Sequence, residues 1–368
     1  MVYDRPRWTE FVNLRKSWPT RVTTLVFLGA LTGCQGLVTL SEQCDPSESG
    51  CWARLGSAQL NASSIAESAD GLLATAGTSK DLLVQPGSRS VFRFGDLEQE
   101  WIEVHSGPWA AFALVAAHDS SGNRRFIAGA TAINAGRPIH VSETAGETWK
   151  AVDTPGWVFA LAVDPHDSTA VIRGGIGDIH VSTDGGDSWE LVFGSQDRAG
   201  LGVRRIEYSG PSSDVVWASF VNPFNRPFLL RSADRGLSWT TVRDSILDRL
   251  SSISDIVVDP DDVSHVWIAV GNSMIESRDG GESWTLHGEI EGLAKEFVVL
   301  DGVVYLAGSR GRNDPDGDAR LMLLKYDAAD NAWTQVPVPV LPGATTIARG
   351  LNSSLLIGTL SGVFRFRP

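Results

Sequence analysis

Tyrosine, methionine and cysteine are scarce in this chain, and long apolar runs are scarcer. Its 368 residues include four tyrosines, three methionines and three cysteines. The most apolar run, Val22 to Gly33, is twelve residues long, and a helix needs about 20 to span a bilayer. Cys44 and Cys51 have no histidine near them, so they do not make a closed metal site. A basic face is missing too. The formal net charge is −13. Residues 1–33 hold five basic and two acidic side chains, so that segment carries +3 and the remainder −16. A body this acidic argues against nucleic acid as a partner; the charge is read as a solvated surface.

Glycine (38) and tryptophan (13) are plentiful instead. Together they suggest short strands, tight turns and a regular aromatic filler. The length suits one large all-β domain or two smaller ones.

Residues 1–33 read as an address. Arg15, Lys16 and Arg21 precede the short apolar run, the pattern of a secretory signal. The run ends Leu31-Thr32-Gly33-Cys34, which resembles the lipobox of bacterial lipoproteins. That resemblance implies cleavage before Cys34 and acylation of its sulfur; ordinary cleavage nearby or an uncut anchor are the competing readings. Each buried methylene contributes roughly 0.8 kcal/mol, so several acyl chains hold a protein on a membrane almost permanently. Gln35 follows the cysteine, and in a cell with two membranes the absence of Asp there favours the outer one by the same resemblance. Residues 34–51 form a tether in this reading, and Cys44 and Cys51 are a candidate disulfide, as close cysteines outside the cytoplasm often are.

The repeats are the strongest signal. Ser182-x-Asp184-x-Gly186-x-Ser188-Trp189, Ser232-x-Asp234-x-Gly236-x-Ser238-Trp239 and Ser277-x-Asp279-x-Gly281-x-Ser283-Trp284 share one pattern. A fourth copy, Ser142-x-Thr144-x-Gly146-x-Thr148-Trp149, has Thr at the Asp position. A short apolar stretch precedes each copy and a second strand begins at the Trp, as in Trp189-Glu190-Leu191-Val192, so each is a hairpin turn. Asp accepts turn N–H bonds, Gly supplies a positive φ, and Trp buries area between sheets. The pattern resembles the Asp box, or BNR repeat, of β-propellers such as sialidases, xyloglucan hydrolases, the sortilin ectodomain and photosystem II assembly factors. The resemblance implies a turn on the outer rim and a structural, not catalytic, role for Asp184, Asp234 and Asp279.

Two counts fix the number of blades. Trp52, Trp101, Trp149, Trp189, Trp239, Trp284 and Trp333 recur at intervals of 40 to 50 residues. Upstream apolar strands recur around Leu73, Ile127, Ile172, Trp217, Trp267, Tyr305 and Leu356. Each series has seven members, but they are out of step at the ends. The expectation is a seven-bladed β-propeller of four-stranded blades over residues 52–368, closed by the strand near Trp52 acting as the outer strand of the last blade.

Function is less legible, because fold does not fix chemistry. The sialidase likeness implies an Arg-Ile-Pro signature and a Tyr–Glu pair. No Arg-Ile-Pro occurs, and the body holds only Tyr208, Tyr305 and Tyr326. Glu207 and Tyr208 are adjacent on a strand and face opposite ways. A glycosidase needs two channel-facing carboxylates, and no such pair stands out; Asp164 and Asp259 recur in Val-Asp-Pro turns. Asp314, Asp316 and Asp318 alternate in a loop, a spacing that Ca²⁺ sites use, with a solvated loop as the alternative. Trp109 and Trp157 precede Phe112-Ala113-Leu114 and Phe159-Ala160-Leu161 and are candidate platforms for a ligand at the channel mouth; packing is the competing role. Arg204 and Arg205 stand at the entry to an inner strand and invite comparison with the arginine patch of photosystem II assembly factors. The expected function is a monomeric, non-catalytic extracytoplasmic lipoprotein whose propeller face binds a protein or glycan without a cofactor, in the manner of a scaffold or assembly factor. The rival is a glycoside hydrolase of sialidase or glucanase type.

Overall fold

The computed structural model describes residues 49–368, apart from 58–59, 70, 79–89, 96–98, 107–108, 133–138, 155, 195–201, 211–212, 222–226, 251–252, 260, 288–289, 291, 312–318 and 328, and the side chains of 77–78, 109–112, 130–132 and 221. The predicted signal, Cys34, Cys44 and the acidic loop at Asp314, Asp316 and Asp318 lie outside the described residues, as does the side chain of Trp109.

The described residues from Cys51 onward form 28 strands, β1 to β28, in seven antiparallel four-stranded sheets. Blade 1 is β2–β5, from Leu60 to His105; blade 2 is β6–β9, from Trp109 to Val152; blade 3 is β10–β13, from Ala160 to Gly194. Blades 4, 5 and 6 are β14–β17 (Gly202 to Val242), β18–β21 (Asp255 to His287) and β22–β25 (Leu293 to Gln335). Blade 7 joins β26 (Ala344–Gly350), β27 (Ser354–Thr359) and β28 (Gly362–Arg367) to β1 (Cys51–Leu55). The seven blades expected from both repeat series are present. Each second strand holds one apolar run of the upstream series.

Position across the blade explains the composition of each strand. The second strands are covered on both faces by neighbouring sheets, so β11 (Val171–Gly174), β19 (Val266–Val270) and β27 are almost wholly buried. The outer strand β21 (Thr285–His287) is exposed throughout. Between blades the apolar faces merge: Ile172 and Ile179 of blade 3 pack with Ile206, Ala218 and Phe220 of blade 4. Each isoleucine or phenylalanine buried this way contributes about 1.5–3 kcal/mol by leaving water.

The four motif turns share one hydrogen-bond plan. In blade 3 the Ser182 hydroxyl donates to Asp184 Oδ1 at 2.8 Å and accepts from the Gly186 N–H at 2.8 Å. Asp184 Oδ1 accepts from the Ser188 N–H at 2.9 Å, and Trp189 Nε1 donates back to the Gly186 carbonyl at 3.1 Å. The turns at Asp234 and Asp279 repeat this plan. In blade 2 the Thr144 hydroxyl takes the carboxylate's place, accepting from the Thr148 N–H at 2.8 Å. Each Trp completes its turn, and the outer strand starts one residue later, at Lys150, Glu190, Thr240 and Thr285. The turn glycines also touch the preceding blade. Gly281 has φ +95°, and a Cβ there would lie 2.4 Å from Cη2 of Trp217 in blade 4.

The ring closes as the mismatch of the two series requires. β1 pairs antiparallel with β28, Trp52 opposite Phe366, and the two rings stack at 4.4 Å. Trp101 Nε1 of blade 1 donates to the Leu55 carbonyl at 2.7 Å, tying the closing strand to the first blade. Cys51, buried at the start of that strand, is disulfide-bonded.

Candidate functional site: the central channel

The innermost strands of the seven blades surround a cavity of about 1590 Å³. All follow the same course. Each begins at one end of the channel, here called the entrance, after the outer strand of the preceding blade, and turns into its second strand at the other.

Five inner strands carry a β-bulge at the same place, between Ala62 and Ser64, Ala111 and Ala113, Val203 and Arg205, Ala294 and Glu296, and Ala344 and Thr346. A bulge re-aims side chains. Here it lets two consecutive residues address the channel, and Ser63, Arg204, Lys295 and Thr345 line it near the entrance. The next residues form a ring at one level, namely Ser64, Ala113, Ala160, Arg205, Asp255, Glu296 and Thr346, as their pairing with the second strands shows.

At that level blades 4, 5 and 6 hold charge. Arg205 sets Nε 2.9 Å from Asp255 Oδ1, NH1 3.0 Å from Glu296 Oε1 and NH2 3.3 Å from Glu207 Oε2. The carboxylates also reach the backbone of the next blade. Asp255 accepts from the Phe297 N–H at 2.6 Å, and Glu296 from the Ile347 N–H at 3.0 Å. In the uncharged part of the ring, the Ser64 hydroxyl accepts from the Leu114 N–H at 3.2 Å. Adjacent inner strands splay apart without a main-chain ladder, so these side chains satisfy backbone donors that would otherwise be orphaned.

The charges perturb one another. Burial pushes the Asp255 carboxyl up to about 7, against the pull of Arg205, and Glu296 adds to the rise. Burial also raises Glu207, with Arg205 opposing it and Glu296 reinforcing it. Burial pulls the Arg205 guanidinium down, but its three carboxylate neighbours outweigh that and hold it above its ordinary range.

The two arginines read together from the sequence thus part company. Arg205 is locked into the ring. Arg204, on the bulge, is exposed and has no ion-pair or hydrogen-bond partner among the described residues. Trp157 lies in the segment before β10 (Ala160–Val163), is 43% exposed, and meets Phe159 edge to face at 5.9 Å. Phe159 lines the channel beside Gly202, which brings this aromatic pair to the entrance near Arg204. Tyr208 and Tyr305 are buried packing residues. Asp164 and Asp259 hold turns, accepting the N–H groups of His166 at 2.8 Å and Asp261 at 3.0 Å.

Asp255 and Glu296 were not singled out from the sequence. The available signal was their register: aligned on the second strands, both fall at the level of Arg205. Among the described residues, no group of three His, Cys, Asp or Glu side chains is arranged to hold a metal, and no helix is long and apolar enough to cross a membrane.

No protein-family model matches the chain, and no curated protein matches it in sequence. Solved structures do match in shape. YCF48 bound to D1 peptide superposes with a TM-score of 0.57 at 15% identity, over 92% of this chain and 100% of that one. YCF48 from Cyanidioschyzon merolae gives 0.57 at 13%, over 86% and 98%. Streptogramin B lyase gives 0.58 at 10%, over 85% and 96%. Identities this low speak to architecture alone, and on that point topology and comparison agree: the chain is a seven-bladed β-propeller.

Proposed function

We propose that this protein is a non-catalytic, lipid-anchored extracytoplasmic propeller that binds a segment of a partner protein at the channel entrance, in the manner of an assembly factor. The observation that carries the reading is that exposed Trp157 and the exposed guanidinium of Arg204, which has no partner among the described residues, both stand at the entrance of the channel. An exposed aromatic face and a free bidentate donor are what interface anchors use. A structural neighbour with a peptide bound, YCF48 with D1 peptide, makes a protein segment the favoured ligand over a glycan. The four motif turns are read as Asp boxes, and the bonding of Asp184, Asp234 and Asp279 within three of them supports a structural role for those carboxylates. Lipidation at Cys34 rests on the lipobox-like Leu31-Thr32-Gly33-Cys34, and the disulfide at Cys51 suits an oxidising compartment.

Photo-crosslinkers placed at Trp157 and, as a control, at the exposed rim residue Leu191 test the binding face in native envelopes. A protein adduct specific to position 157 supports the reading. Equal labelling at both positions, or a glycan adduct alone, sinks it. Cys34→Ser is expected to release the protein from membranes.

The hydrolase reading keeps one supporting observation: Glu207, Asp255 and Glu296 line the same channel. Their ion pairs with Arg205 weigh against it. Turnover of sialosides or β-glucans that disappears in Glu207→Gln would establish the hydrolase instead.

A further inference from the structure

The ring of blades 4 to 6 has a charge imbalance that its geometry does not resolve. Three carboxylates meet one guanidinium, all within 3.3 Å of it. Asp255 is the most enclosed, its side chain 2% exposed, against 24% for Glu207 and 21% for Glu296. Of the other cations nearby, Arg204 is exposed at the entrance with no ion pair among the described residues, and Lys295 is exposed there too. Arg349 of β26 donates to the Val299 carbonyl at 2.9 Å and reaches Glu207 only through space. Like charges crowded into a half-buried site cannot all ionise together, and they titrate as a set.

The same groups join blades. Arg205 of blade 4 grips Asp255 of blade 5 and Glu296 of blade 6, while those carboxylates cap N–H groups of blades 6 and 7. We propose that Arg205, Glu207, Asp255 and Glu296 form a proton-binding site that holds one shared proton and releases it when the clamp across blades 4 to 7 opens. The coupling has a definite sign. The raised Asp255 carboxyl binds a proton more tightly closed than open. Closure is therefore favoured by that proton at low pH, and the advantage is lost as pH rises from the ordinary carboxylate range through about 7. The Ser64 link between blades 1 and 2 contains no titrating group, so it serves as an internal control.

Amide hydrogen exchange of the full-length protein between pH 5 and pH 7, corrected for intrinsic chemistry, tests this. The opening constant at Phe297 and Ile347 is expected to rise at least about tenfold, within the roughly hundredfold that one released proton allows over about two pH units. That at Leu114 should stay flat, and Asp255→Asn should abolish the rise. Glu207→Gln keeps both backbone caps and removes one like charge, so it should move the rise to lower pH. A flat response at Phe297, or an equal rise at Leu114, overturns the proposal. Should Asp255→Asn fail to fold, the Glu207→Gln shift decides, and an unmoved profile overturns it as well.

Discussion

The rim turns and the channel ring both use carboxylates to satisfy backbone N–H groups, yet they are built on opposite principles. At the rim, the partners of Asp184, namely Ser182 and Ser188, lie two and four residues from it, and the unit recurs in blade after blade. In the ring, Arg205 and Glu296 are 91 residues apart, and almost every blade supplies a different residue type. Local units can be copied with the repeat. A ring assembled from separate blades is free to differ at each position, and that is where a propeller acquires individuality. The charged half of the ring is accordingly the distinctive chemistry of this protein, and the rim is its scaffold.

The comparison breaks most visibly at the turn glycines, if the rim is the scaffold. Gly281→Ala combines a left-handed φ of +95° with a Cβ 2.4 Å from the buried ring of Trp217. The strain costs about 1–2 kcal/mol and the overpacking about 1–3 kcal/mol. Urea denaturation should register the total, and a loss below about 1 kcal/mol would mean that the blades slide to make room. Next comes Arg205→Met. Three carboxylates then lose their common cation, and about 3 kcal/mol is expected, the low end for breaking a buried pair because the guanidinium is 30% exposed.

The two regions should also answer pH with opposite sign. The Asp279 carboxyl is lowered to about 2, chiefly by its side-chain hydrogen bond from Ser283 and by the Ser283 N–H. Its contribution is present above the ordinary carboxylate range and is lost as pH falls through about 2. Asp255 contributes in the other direction, losing its share as pH rises toward about 7. Stability should therefore peak on the acid side of neutrality, and urea midpoints across this range would show it. A plateau up to pH 8 would leave the ring without influence on stability.

How much was legible in the sequence follows the same division. The rim was readable because its chemistry is contiguous: the spacing of Ser, Asp, Gly and Trp identified a turn, and the Trp series identified seven outer strands, Trp52 included. The closing strand was readable because two repeat series ended out of step. The ring was not. Asp255 stands before an ordinary apolar strand, and Glu296 follows Lys295 in what reads as a solvated pair. Their register, set by bulges in the inner strands of blades 4 and 6 and by an unbroken ladder in blade 5, places them level with Arg205, and no residue pattern announces those bulges. The bulge also separated Arg204 from Arg205, neighbours with the same side chain and different surroundings.

A smaller effect is expected where the rim itself offers a substitute. Thr144 does in blade 2 what Asp does elsewhere, so Asp184→Thr in blade 3 should retain the bond to the Ser188 N–H. The loss should stay under about 1 kcal/mol, near the net worth of one hydrogen bond, whereas Asp184→Ala should exceed it. Equal losses would show that the negative charge, not the acceptor, is what the turn requires. Burial raises the Asp184 carboxyl and its hydrogen bonds from Ser188 and Ser182 outweigh that rise, which already points to the acceptor.

The smallest change in stability belongs to Arg204, and it separates scaffold from function most sharply. Arg204→Ala removes an exposed side chain without a partner among the described residues, so stability should shift by less than about 0.5 kcal/mol. Its neighbour Arg205 should behave in the reverse manner, costly to folding and silent at the entrance. If Arg204→Ala leaves urea unfolding intact but abolishes the partner adduct at Trp157, the bulge is there to present a binding group. If both properties survive, the bulge serves only to seat Arg205 level with Asp255 and Glu296, and the binding face must be sought at the far end of the channel, where Asp261 and Asp301 line the wall.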